Sequence, residues 1–252
     1  MTFTRRACVL ALGLLSSCAA GSHAPPYATQ PYQAFSRSAA VAIALREWRL
    51  WGSGLNDNPD YVQRAATMPE RAQGLWQRVG DYWWVGLNAS SPDSRWTGKH
   101  DAQGKVFPVA VNGDYAWSAA FISYIMRVSG AGRAFPYAAD HAHYINEAAR
   151  PYHPGKVLIA ENPQDYAPRL GDLVCFARGW AWRLRFQDLP TTRYFPSHCD
   201  IVVRREAGIL SVIGGNVDDS VLMTKIPLTP QGLLQDPDHH FLVILRVLYA
   251  QN

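Results

Sequence analysis

The sequence predicts an α+β fold, with helices packed on a small antiparallel sheet. Three observations carry this. Apolar residues recur at helical spacing only as far as about residue 150. Beyond that point short runs of Val, Ile and Leu take over, separated by turn residues. The order, helices first and strands after, is that of an α+β domain rather than of alternating βαβ units. At 252 residues, 48% hydrophobic and 17% charged, the chain can bury one core of ordinary size.

The helical part, 36–150, opens with Val41, Ala44, Leu45, Trp48 and Trp51 at helical spacing, and Gly52 follows as a stop. Pro69 is placed to open a second helix with Ala72, Leu75, Trp76 and Val79 on one face. Periodicity fades between Gly86 and Gly113. Asp114 then reads as an N-cap. Behind it Trp117, Ala120, Phe121, Tyr124, Ile125 and Val128 form a broad apolar stripe that ends at Gly130. A further helix is expected over about Ala139 to Arg150. In the sheet part, 151–252, the strands are expected at Asp172–Phe176, His198–Val203, Ile209–Ile213 and Phe241–Tyr249. Residues 178–196 are a long insertion between two of them, with Trp180, Trp182, Arg183 and Arg185.

The N-terminus reads as an address. Arg5 and Arg6 precede an apolar run from Ala7 to Leu15, too short for a permanent span. Leu15-Ser16-Ser17-Cys18 then resembles a bacterial lipobox, in which the Cys is acylated and becomes the new N-terminus. Ala19 rather than Asp implies the outer membrane by the same resemblance. Residues 18–35, rich in Ala, Pro, Ser, Tyr and Gln, read as a tether. No later segment is long and apolar enough to cross a bilayer.

Composition also excludes classes. Lys+Arg is 24 against Asp+Glu 20, and losing Arg5 and Arg6 with the signal leaves 22 against 20. So small a surplus does not suit a nucleic-acid binder. No glycine loop that would cradle phosphate is present, so no nucleotide role and no cofactor is expected. Four Cys are too few for a disulfide scaffold.

Three segments carry chemistry: Asp114-Tyr115-Ala116-Trp117-Ser118-Ala119-Ala120-Phe121, Ser197-His198-Cys199-Asp200-Ile201-Val202 and Val212-Ile213-Gly214-Gly215-Asn216. They place a hydroxyl in the first turn of a buried helix, an imidazole at the start of a strand and an amide at the end of the next. A helix N-terminus favours negative charge on a nucleophile or its adduct. A base beside the nucleophile, oriented by a third polar group, completes the logic of acyl transfer.

These segments resemble the papain-related bacterial cell-wall hydrolases of the NlpC and CHAP type, and Gly171-Asp172-Leu173-Val174 resembles the strand before their His strand. The match is closest to the bacterial family called domain of unknown function 2272, over about residue 37 to the end. The resemblance implies a papain-like domain over 36–252, following a signal over 1–17 and the tether, with Ser118 as nucleophile, His198 as base and Asn216 as the group orienting it. It also implies a peptidoglycan peptide or related envelope amide as partner, and a lipid anchor at Cys18 facing the periplasm. One departure stands out: where that group has a Cys, this chain has Ser118. A hydroxyl is far less acidic than a thiol. Either His198 removes its proton during attack, or the pocket only binds.

Trp84, Trp117, Asp114 and His143 are candidates for lining the groove, together with Trp83. His141 and His143 lie two apart on a helix, hence on different faces, and read as capping or groove-lining. If the strands holding Cys175 and Cys199 pair, the two sulfurs face each other and can form a disulfide; two buried free thiols are the alternative. Successive strand residues point to opposite faces, so Cys199 points away from the side His198 takes. His198, Cys199, Asp200 and Cys175 lack the paired spacing of a zinc site, and no metal is expected.

Overall fold

The computed structural model describes residues 35–57, 62–64, 70–87, 97–101, 103–108, 115–236 and 239–249, all within one unit that runs from Gln33 to the end. The expected signal, Cys18 and Asp114 lie outside the described residues. Phe35, placed at the end of the tether, is instead buried in the core against Tyr249, with ring centroids 4.4 Å apart.

Helix α1 (Arg37–Leu50) begins at Ser36, whose hydroxyl accepts from the Ala39 N–H. It buries Ala40, Ala44 and Glu47. Two short strands follow, β1 (Leu55–Asp57) and β2 (Val62–Arg64). Helix α2 (Leu75–Gly86) starts later than Pro69 suggests. Its cap is Gly74, with φ 90°, a left-handed conformation that glycine adopts without steric cost. Helix α3 (Ser118–Val128) is buried almost throughout. Its N-cap is Trp117 rather than Asp114, and the Trp117 side chain makes no bond to the first turn. Helix α4 (His141–Ala149) is capped by Asp140, whose carboxylate accepts from the His143 N–H at 2.8 Å.

The strands that follow are β3 (Leu158–Glu161), β4 (Leu173–Ala177), β5 (Ser197–Glu206), β6 (Ile209–Val217), β7 (Ser220–Pro227) and β8 (Phe241–Val247). With β1 and β2 they form one eight-stranded sheet in the order β2-β1-β7-β6-β5-β4-β8-β3. The sheet is larger than expected and is not wholly antiparallel, because β1 pairs with β7 in parallel. The mixed α+β class stands. Insertion 178–196 joins β4 to β5 and contains two short 3-10 turns.

Side-chain alternation divides the sheet into two faces. Cys175, Cys199, Ile201, Ile213, Val243 and Leu245 form one core with Trp117, Phe121, Ile122 and Ile125. Val174, Val202, Leu210, Val212 and Ile226 form a second cluster on the other face. Two neighbouring glycines mark the division. A Cβ on Gly215 would stand 2.6 Å from Phe121 and 2.8 Å from Trp117, so α3 lies directly on β6 there. A Cβ on Gly214 would meet Asp200 and His198 instead.

Two buried carboxylates tie helices into this frame. Asp172, fully buried, accepts from Arg37 at 2.9 Å, the Tyr166 hydroxyl at 3.0 Å and the N–H groups of Arg169 and Val247. It thereby fastens α1 to β4 and β8. Glu47, equally buried, pairs with Arg78 and accepts from the Tyr82 hydroxyl at 2.8 Å, joining α1 to α2. Buried charges of this kind persist only when paired and hydrogen-bonded.

Candidate active site

Ser118 is the first residue of α3 and is half-buried. The N-cap Trp117 side chain makes no bond to the first turn, whose N–H groups point their positive ends toward Ser118, and the first backbone bond closes from Phe121 to the Trp117 carbonyl. The Ser118 hydroxyl therefore stands where developing negative charge is favoured.

The imidazole within reach of that hydroxyl is His141. Its Nε2 lies 2.9 Å from Ser118 Oγ. This corrects the expectation of a Ser118–His198 pair. The reason is strand parity: of the neighbours His198 and Cys199, only one can face the helices, and Cys199 belongs to the core that contains α3. His198 lies on the other face, with Asp200 and beside Gly214. His141 comes from the first turn of α4, where the Asp140 cap fixes the helix start and so the direction of the ring. The sequence carried a trace of this in Asp140-His141-Ala142-His143, an N-cap signal followed by an imidazole.

His141 is 3% exposed. Its pKa lies well below 6.5, first because burial disfavours the charged form, and further because His198 and Arg178 are nearby. His141 is thus a neutral ring at neutral pH, the form in which it can accept a proton. With Ser118 as donor to Nε2, the ring's own proton sits on Nδ1. That atom is buried and has no partner among the described residues.

His198 complements this arrangement. Its ring centroid is 5.2 Å from that of His141. Its Nε2 is 2.8 Å from Asp200 Oδ1, so the carboxylate holds a proton on Nε2. Its Nδ1 too is buried without a partner among the described residues. Ser118–His141 and His198–Asp200 are thus two hydrogen-bonded pairs whose imidazoles stand side by side without a bond between them.

The other expected site residues fall elsewhere. Asn216 does not orient an imidazole; its side chain makes no hydrogen bond among the described residues. It stands at the irregular step between Gly215 and Val217 with φ 57°, a conformation Asn tolerates. Asp218 and Asp219 also have positive φ and close the two-residue β6–β7 turn. Trp117 does not wall a cleft. It is fully buried, donates from Nε1 to Glu70 Oε2 at 2.7 Å and stacks on Trp51 with centroids 5.2 Å apart. Trp84 is 48% exposed on α2. His143 is exposed and lines a surface groove with Asn146, Thr191 and Tyr194, separate from Ser118. Cys175 and Cys199, directly opposite across β4 and β5, form a disulfide. Among the described residues no group of three or more His, Cys, Asp or Glu could hold a metal ion, and no helix is long and apolar enough to cross a membrane.

Fold and site together define a mixed α+β protein with a hydroxyl–imidazole pair at the start of a buried helix. The family model described as an uncharacterized protein conserved in bacteria (DUF2272) matches residues 70–247, and the chain belongs to that family. The matched span contains all four residues of the two pairs. No curated protein and no solved structure matches.

Proposed function

We propose that this chain is a cell-envelope hydrolase that cleaves an amide in peptidoglycan peptides, or a related envelope amide, by acyl transfer to Ser118. The observation that supports it is the 2.9 Å contact between Ser118 Oγ and His141 Nε2 at the start of α3. Ser118 attacks the amide carbonyl as its proton passes to His141. The N–H groups of the first turn of α3 stabilise the oxyanion. His141 returns the proton to the leaving amine, and water then cleaves the Ser118 ester with His141 again as base. As His141 becomes charged, the His198–Asp200 pair stands beside it, and the Asp200 carboxylate offsets the charge.

The order of the three sequence segments supports papain-like, NlpC or CHAP-type kinship, with Ser in the place of the Cys. The order Leu15-Ser16-Ser17-Cys18-Ala19 supports acylation at Cys18 and attachment to the outer membrane, facing the periplasm. A disulfide suits that compartment, where thiols are not kept reduced.

The test is release of soluble fragments from purified sacculi by the full-length chain. Ser118→Ala should abolish release, and His141→Ala should slow it by about 10²–10⁴. Release unchanged in Ser118→Ala refutes the assignment. A second reading, a module that binds wall peptides without cutting them, is favoured by one observation: His141 Nδ1 has no acceptor in hand to orient it. Co-sedimentation with sacculi that survives Ser118→Ala, with no fragment released by the wild type, would establish that reading. Neither binding nor release would remove both.

A further inference from the structure

The far face of the sheet carries a second polar site, on the opposite side of His198 from Ser118. A cavity of about 80 Å³ opens there, with His198, Asp200, Arg178, Asn56 and Thr224 among its lining residues and the rings of Phe176 and Phe241 as apolar wall. Asp200 is 7% exposed. One of its oxygens is taken by His198; the other has no hydrogen-bond donor among the described residues. Among the described residues no cation pairs with it apart from that imidazole. That oxygen is reached from the cavity, where a cationic donor would pair with it. Asn56 and Thr224 add further oxygen acceptors in the same lining.

Arg178 stands at the other pole. It is exposed at the first position of the insertion, its guanidinium 5.3 Å over the Phe176 ring. It makes no ion pair with any described carboxylate. The guanidinium is held by the aromatic face and keeps its planar donors free, the arrangement suited to a carboxylate ligand. The cavity therefore has an anionic floor with one carboxylate oxygen lacking a donor among the described residues and a cationic rim lacking an acceptor, with apolar walls between them. An ammonium ion alone leaves Arg178 unused. A carboxylate alone leaves Asp200 unanswered and adds a second negative charge.

We infer that this cavity binds a small zwitterion of the α-amino acid type, its ammonium group toward Asp200, Asn56 and Thr224 and its carboxylate on Arg178. The site requires no turnover at Ser118, although it shares His198 and Asp200 with the hydrolase reading.

Calorimetric and amide-shift titrations of the full-length chain with glycine and with alanine test it. Saturable binding is expected, with shifts centred on Arg178, Asp200 and Thr224. N-acetylalanine, which lacks the ammonium, and alaninamide, which lacks the carboxylate, should each bind about tenfold more weakly or worse. Arg178→Gln should make alanine and alaninamide bind alike. Asp200→Asn should do the same for alanine and N-acetylalanine. Thr224→Val, which leaves the Asp200–His198 pair in place, should weaken alanine and alaninamide together, and serves if Asp200→Asn fails to fold. Absence of saturable binding of either amino acid, or equal binding of N-acetylalanine and alanine to the wild type, overturns the proposal. Ser118→Ala should leave the titration unchanged, so failure here and failure of hydrolysis are read separately.

Discussion

Gly214 offers the sharpest test of how the site is built. A Cβ at this position would stand 1.9 Å from Asp200 Oδ1, 2.9 Å from His198 Nε2 and 3.0 Å from Asp200 Cγ. No real Cβ tolerates the first of these, so in Gly214→Ala the Asp200 carboxylate has to move. It sits in a strand paired on both sides, so the backbone has little room to yield. Forcing a methyl into a packed interior costs about 1–3 kcal/mol. Separating the buried His198–Asp200 pair leaves polar groups unsatisfied and costs about 1–3 kcal/mol more. The sum is about 2–6 kcal/mol, which for a chain of this size lowers the melting temperature by roughly 5–20 °C. Gly208→Ala is the control: its φ of +75° strains an alanine, but nothing lies within 4 Å of the added Cβ. Its cost should be about 1 kcal/mol. Urea unfolding of the two variants beside wild type reads the difference. Equal stability of Gly214→Ala and Gly208→Ala would refute the claim that the pair is seated on the bare glycine backbone.

Further expectations follow from the same geometry. Opening the Cys175–Cys199 bridge, whose ends are 24 positions apart in the chain, should destabilise the fold by about 3 kcal/mol, measured as a lower urea midpoint in a double Ser variant; an unchanged midpoint would argue against a closed bridge. Because the His141 pKa lies well below 6.5, hydrolysis that depends on it should be flat at and above that pH and fall only on the more acidic side. An acid limb centred at or above 6.5 would assign the base elsewhere. Glu70 is 2% exposed, and burial raises its pKa above 4.5 against the pull of the Trp117 hydrogen bond. The folded state then holds this proton more tightly than the unfolded one. That contribution is fully present below 4.5 and is lost as pH rises through the folded value. Glu70→Gln keeps an acceptor for Trp117 and should raise the melting temperature at neutral pH; a lowered one would show that the charged form is the better partner.

The helices were legible where one face is apolar and a cap stands at the start. Asp140 before α4 and the stripe from Trp117 to Val128 are of that kind. Helix α2 was misplaced because Pro69 is a strong local signal and Gly74 a weak one, yet the chain turns at Gly74. Strands β1 and β2 were missed: three residues each hold no period to read, and β1 exists by pairing in parallel with β7, far along the chain. Strands β5 and β6 were visible in their Val and Ile runs. Which face each residue took was not, since alternation gives two equivalent answers until a helix is laid on one side.

The sequence by itself determined the mixed α+β class and the hydroxyl at the start of a buried helix, because propensity and period are local properties of the chain; that Cys175 and Cys199 oppose each other depended on the pairing of their strands. The tertiary structure alone decided which imidazole meets Ser118. His141 and His198 are equally plausible as residues, and the choice rests on the packing of α3 over Gly215, which turns Cys199 inward and sends His198 to the other side of the sheet.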